Sequence, residues 1–164
     1  MRVMFSKSDD GRVCSWWAKA PKRRPFQGST MAVRSAGSEL PHDLAQFVVE
    51  ATLGLQHGFW NLVANGATFK SIGRRRTKPG RQLIAANREE LNEAEQVVNA
   101  HVAAWRDGRP TPAGTALDAM LARWQALAVG EELVVEWPTR RLPPPLTPAR
   151  STSPQRRPPR TARS

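Results

Sequence analysis

The chain contains no tyrosine, a single cysteine, and no apolar run long enough for a signal peptide or a membrane span. Each absence narrows the reading. Cys14 alone cannot close an internal disulfide or supply the cysteine pair of a zinc site, so a cytoplasmic setting is expected and no membrane partner is. Without tyrosine, aromatic burial falls to six Trp and five Phe. The chain also lacks a GxSxG elbow, a phosphate-binding glycine loop, an HExxH pair and a dinucleotide fingerprint. Catalysis therefore has no positive signal, no catalytic residue is nominated, and no cofactor is specified.

What is present suits one core. Of 164 residues, 40% are apolar, enough for a single domain, which we assign to residues 1–137. The net charge of +11 is unevenly placed: residues 138–164 hold seven Arg and no acid, leaving +4 (18 basic minus 14 acidic) for residues 1–137. That terminal stretch is also rich in Pro, with eight, and composition predicts a disordered Pro/Arg-rich tail.

Hydrophobic patterning predicts an α+β fold. "RVMF" and "VCSWWA" alternate about Asp10-Gly11 as a β-hairpin, in which Trp16 and Trp17 point to opposite faces, one buried and one exposed. "PKRRPFQGS" reads as a loop and Thr30–Ala36 as a possible third strand. Pro41 suits the first turn of a helix whose stripe is Leu44, Phe47, Val48, Ala51 and Leu55, ending at Gly54. A short helix burying Phe59, Leu62 and Val63 ends at Gly66. Ile84, Leu91, Val98 and Trp105 recur every seven residues, predicting one long helix over 82–107. It pairs in an antiparallel helical hairpin with a helix carrying Leu117, Met120, Leu121, Trp124 and Leu127. "ELVVEW" reads as a strand that must join the N-terminal ones. The expected fold is a small antiparallel sheet packed against four helices.

One stretch has the look of a site. In "ELPHDLAQFVVEATLGLQHGFW", His42, Gln46 and Glu50 stack four residues apart along one helix edge, with His57 just beyond. His and Glu at such spacing can share a metal, giving the candidate set His42, Glu50 and His57. Gln46, in the middle, is a poor ligand, and His42 and Glu50 are two turns apart, about 12 Å. The plainer expectation has Gln46 and Glu50 facing water. "LPHDLAQFVVE" with "LGL" and "GFW" resembles small actinobacterial-type proteins in which an HDLxHFxVE helix follows an N-terminal β-hairpin. The resemblance implies that order of elements and no activity. Position 46 departs from it, with Gln in place of His.

The remaining candidates are weaker in chemistry. His101 lies on the seven-residue seam, where a hydrogen-bonded core histidine is expected. "KSIGRRRTKPGR" reads as a solvated loop whose Arg74, Arg75, Arg76, Lys78 and Arg81 can contact phosphates, although no aromatics interleave with them for base readout. Three function classes follow: a non-enzymatic protein-binding or regulatory domain, favoured by helical surfaces without a catalytic constellation; a protein contacting nucleic acid non-specifically through basic loop and tail; and a small metal-dependent enzyme.

Overall fold

Alternation of apolar and polar residues along three short segments and the pairing of a fourth beside them form one sheet, and the apolar helices close over one of its faces. The structure is a computed structural model that describes residues 1–7, 13–19, 26–31, 39–69 and 77–142, with residue 13 and residues 26–31 described through their backbone. The strands are β1 (Arg2–Lys7), β2 (Val13–Lys19), β3 (Phe26–Met31) and β4 (Glu132–Glu136), and the helices α1 (His42–Leu53), α2 (Phe59–Asn65), α3 (Lys78–Ala86), α4 (Arg88–Arg106) and α5 (Gly114–Ala126). The four strands form an antiparallel sheet in the order β3-β2-β1-β4. The α+β class is as expected, and the last strand does join the first: Val3 pairs with Val135 and Phe5 with Leu133.

Three boundaries differ from the sequence reading. The third strand runs over Phe26–Met31 rather than Thr30–Ala36, beginning directly after Pro25 because pairing with β2 sets Ala18 opposite Phe26; residues 32–36 lie outside the described residues. The long helix is two helices, making five among the described residues. Asn87 leaves the helical conformation at φ −123°, and its side chain donates to the Leu83 carbonyl at 2.8 Å, competing with the backbone ladder. Ile84 thereby falls on α3, off the seam that Leu91, Val98 and Trp105 share. Finally, α3 starts at Lys78, where Thr77 caps the Gly80 amide and Pro79 sits in the first turn, so Lys78 and Arg81 are helical rather than in a loop.

The predicted hairpin corresponds to α4 and α5, tied by Trp105 donating to Asp118 and by His101 with Thr111. Helix α1 is central, packing on both α4 and α5. Its middle, Leu44 to Glu50, is buried without interruption. Gly54 ends it with φ 69°. Around Phe47 the core is aromatic: its ring meets Phe5 at 6.2 Å, Trp60 at 5.4 Å and Trp137 at 5.2 Å, all edge-on. Such pairs add about 0.5–1.5 kcal/mol each beyond their buried area.

Beyond Trp137 the chain stays attached to the domain. Arg140 donates its amide to Asn61 and accepts from Asn65, and Thr139 accepts from the N-terminal amine. The described domain thus reaches past residue 137, and the tail from 143 onward lies outside the described residues. No helix among them is long and apolar enough to cross a membrane.

Candidate functional site

Glu50 is the centre of the polar structure inside the fold. It follows Gln46 by one turn on α1, and both side chains are buried, Glu50 at 1% exposure and Gln46 at 4%, contrary to the expectation that they face water. The cause is that the middle of α1, Leu44 to Glu50, is buried on every side, and only its ends reach solvent at His42 and Thr52. Past Gly54 the chain reverses through residues 55–58 and starts α2 at Gly58, whose lack of a side chain leaves the first amides of α2 without a local cap. Glu50 fills that role. Its Oε1 accepts from the Phe59 amide and its Oε2 from the Trp60 amide, both at 2.9 Å. A Cβ on Gly58 would stand 2.4 Å from the Glu50 Cδ, so glycine is what lets the carboxyl approach.

Gln46 completes the arrangement. Its amide nitrogen donates to Glu50 Oε1 at 2.8 Å and to Glu95 Oε1 on α4 at 2.7 Å, spending both protons and joining α1 to α4. Burial pushes the Glu50 carboxyl up to about 8, aided by the Glu95 charge, against the three N–H donors that favour its anion. Desolvation therefore outweighs hydrogen bonding here. A carboxyl so enclosed, with both oxygens engaged, joins α1 to α2 directly and to α4 through Gln46, and is closed to a substrate.

The other sequence candidates are not brought to it. His42 is exposed at the first residue of α1, about 12 Å along the axis from Glu50. His57 Nδ1 meets Asn87 Oδ1 at 2.9 Å. Because the Asn87 amide donates to Leu83, its oxygen is the acceptor and Nδ1 carries the proton. That bond fastens the α1–α2 turn to the α3–α4 joint. Among the described residues no group of three or more His, Cys, Asp or Glu is placed to hold a metal ion. Lys78 and Arg81 are exposed on α3, while Arg74, Arg75 and Arg76 lie outside the described residues. Cys14 is fully buried, and burial, with Asp43 adding to it, pushes its thiol up to about 12, which keeps it unreactive.

A second feature, not singled out from sequence, lies on the sheet face turned away from the helices. Antiparallel register sets Trp17, Met4 and Val134 in one row across β2, β1 and β4. Trp17 and Val134 are 36% and 43% exposed, yet Met4 between them is buried to 3% although it stands apart from the main core cluster. The reason is the indole. Trp17 Nε1 donates to Glu132 Oε1 at 3.1 Å, and to reach β4 from β2 the ring must span β1, lying over Met4. Charged and small polar rows flank this apolar one: Lys19, Arg2 and Glu136 on one side, with Arg2 bonded to Glu136 at 3.1 Å, and Ser15, Ser6 and Glu132 on the other. The signal for it in the sequence is the alternation of β1 and β4 about Met4 and Val134.

Compared with protein-family models, curated proteins and solved structures, the chain matches none.

Proposed function

We propose that the chain is a non-enzymatic protein-binding domain of the cytoplasm that receives its partner on the outer face of the sheet. The observation that carries this reading is the row Trp17–Met4–Val134, an apolar band at 36% and 43% exposure at its ends, rimmed by charged and hydroxyl side chains. An exposed tryptophan beside aliphatic residues and inside a polar rim is the composition of an interface centre. Two of the three titratable groups nominated from sequence support it by their engagement elsewhere: Glu50 caps α2 and His57 holds Asn87. A buried, unreactive Cys14 fits a reducing compartment. The test is affinity capture on the native chain beside a Trp17→Ser, Val134→Thr variant, both shown by circular dichroism to be fully folded at the capture temperature. A partner recovered about tenfold less by the variant, a loss of roughly 1.4 kcal/mol, supports the reading; equal recovery refutes it.

A second reading keeps nucleic acid as the partner, on the observation that Lys78 and Arg81 are exposed three residues apart on α3. Phosphate contact requires that affinity fall as salt rises. A titration in which binding is insensitive to salt removes it.

A further inference from the structure

β4 borders the sheet beside β1, and its pairing turns half of its backbone to the edge. Trp137 donates its amide to the Met1 carbonyl at 2.7 Å, which makes Met1 and Trp137 a hydrogen-bonded pair. Alternation then makes Val3–Val135 and Phe5–Leu133 hydrogen-bonded pairs, and Arg2–Glu136, Met4–Val134 and Ser6–Glu132 the non-bonded ones. The amides and carbonyls of Glu132, Val134 and Glu136 therefore point away from β1. Arg123 on α5 agrees with that direction, donating to the Val134 carbonyl from outside the sheet at 3.4 Å. The side chains of the same three residues are exposed on the outer face, so the edge reads acid–apolar–acid.

We infer that β4 accepts an extended segment of a partner protein as a fifth strand, the segment carrying an apolar residue between two basic ones at alternate positions. This rests on the docking face proposed above and specifies its occupant. A residue opposite Val134 extends the apolar row by one place. Residues two positions to either side oppose Glu132 and Glu136, where a cation is favoured and an acid repelled. A second copy of the chain is the wrong chemistry: β4 on β4 about Val134 sets the Glu132 of each copy against the Glu136 of the other. The chain's own residues 143–164 contain seven Pro, and each removes a donor from a ladder. Arg123 holds its carbonyl by a long, exposed bond, which a strand amide at about 2.9 Å replaces.

The probe is the end-blocked peptide Thr-Lys-Thr-Val-Thr-Lys-Thr, whose pattern is the same in both directions. It is titrated to millimolar concentration into the full chain, and backbone amide shifts and Trp fluorescence are followed. Shifts centred on Glu132, Val134 and Glu136 are expected, with the Glu-for-Lys peptide binding about tenfold more weakly. Glu132→Lys with Glu136→Lys reverses that preference. Val134→Pro removes an edge-facing amide, leaves the β1 ladder its donors, and abolishes binding. Absence of shifts, equal binding of the acidic peptide by the native chain, or undiminished binding by the Val134→Pro chain overturns the inference. So does sedimentation showing a dimer that Glu132→Lys with Glu136→Lys disrupts, which assigns the edge to a second copy. If partner capture is lost with Trp17→Ser yet survives both edge variants, the strand falls while the docking face stands; if Trp17→Ser changes nothing, the face itself falls.

Discussion

On the inner side of the sheet Phe5 meets Phe47 and Trp60 edge-on, at 6.2 Å and 5.7 Å, beneath a helix that seals even its polar groups from water. One residue away on the same strand, Met4 faces the other side, where, among the described residues, the Trp17 indole reaches across β1 to Glu132. The same alternation generates both surfaces, yet the inner one is closed by packing from several elements, while across the outer one, among the described residues, a single exposed indole reaches from β2 to β4. The contrast teaches where to look for function. Inside, every candidate group is committed to structure, whereas outside, apolar area is left for another molecule.

Mutations that break the inner side should be the most damaging. Phe5→Ala leaves a void against the Phe47 and Trp60 rings and should cost about 4 kcal/mol in chemical denaturation. Glu50→Ala strands the Phe59 and Trp60 amides and one Gln46 proton, and a loss of about 3 kcal/mol is expected by the same measurement.

Glu50→Gln separates charge from shape through pH. In the unfolded chain the carboxyl titrates near 4.5 and in the folded chain near 8, so between those values the folded state holds a proton that the unfolded state has released. The contribution of Glu50 is therefore fully present below about 4.5 and is lost as pH rises through about 8. The difference in unfolding free energy between native and Glu50→Gln chains should decline across that window. A flat difference would show that the carboxyl titrates normally.

Gly58→Ala places a methyl against the Glu50 carboxyl, and overpacking of this kind costs about 2 kcal/mol in thermal or chemical unfolding. At the other extreme, Trp17→Ser should lower stability by about 1 kcal/mol, chiefly by uncovering Met4, and Val134→Thr by less than about 0.5 kcal/mol. If Trp17→Ser proved as costly as Phe5→Ala, the outer face would belong to the core and the comparison would collapse.

Much of the fold was legible because it rests on local periodicity. The alternation of β1 and β2, the opposite facing of Trp16 and Trp17 and the stops at Gly54 and Gly66 follow from patterns within a few residues, and the joining of β4 to β1 from the lack of any nearer strand for it to pair with. Asn87 was hidden because its helix break depends on a side-chain bond to Leu83 inside an otherwise unbroken heptad pattern. Glu50 was legible as a position and misread in its surroundings. Its spacing from Gln46 and His42 suggested an edge facing water, and only α4, which brings Glu95, shows that the edge is interior. The value of Gly58 as the space for that carboxyl is likewise a tertiary fact. The outer row was written in the strands, but its meaning required the register that aligns Trp17, Met4 and Val134.

The pairing of β1 with β4 also has a kinetic side. Arg2 and Glu136 are neighbours in the sheet, so the strand that completes it is made after all five described helices. During synthesis β1 can fold onto β2 early, but its other edge and part of the surface around Phe5 stay open until residue 137 emerges. Such distant closure slows folding relative to a chain with local pairings and lengthens the time an unpaired edge is available to other chains. Glu132 and Glu136, borne by the strand that finally covers that edge, then leave like charges on the border of the finished sheet, which discourages a second copy from stacking there.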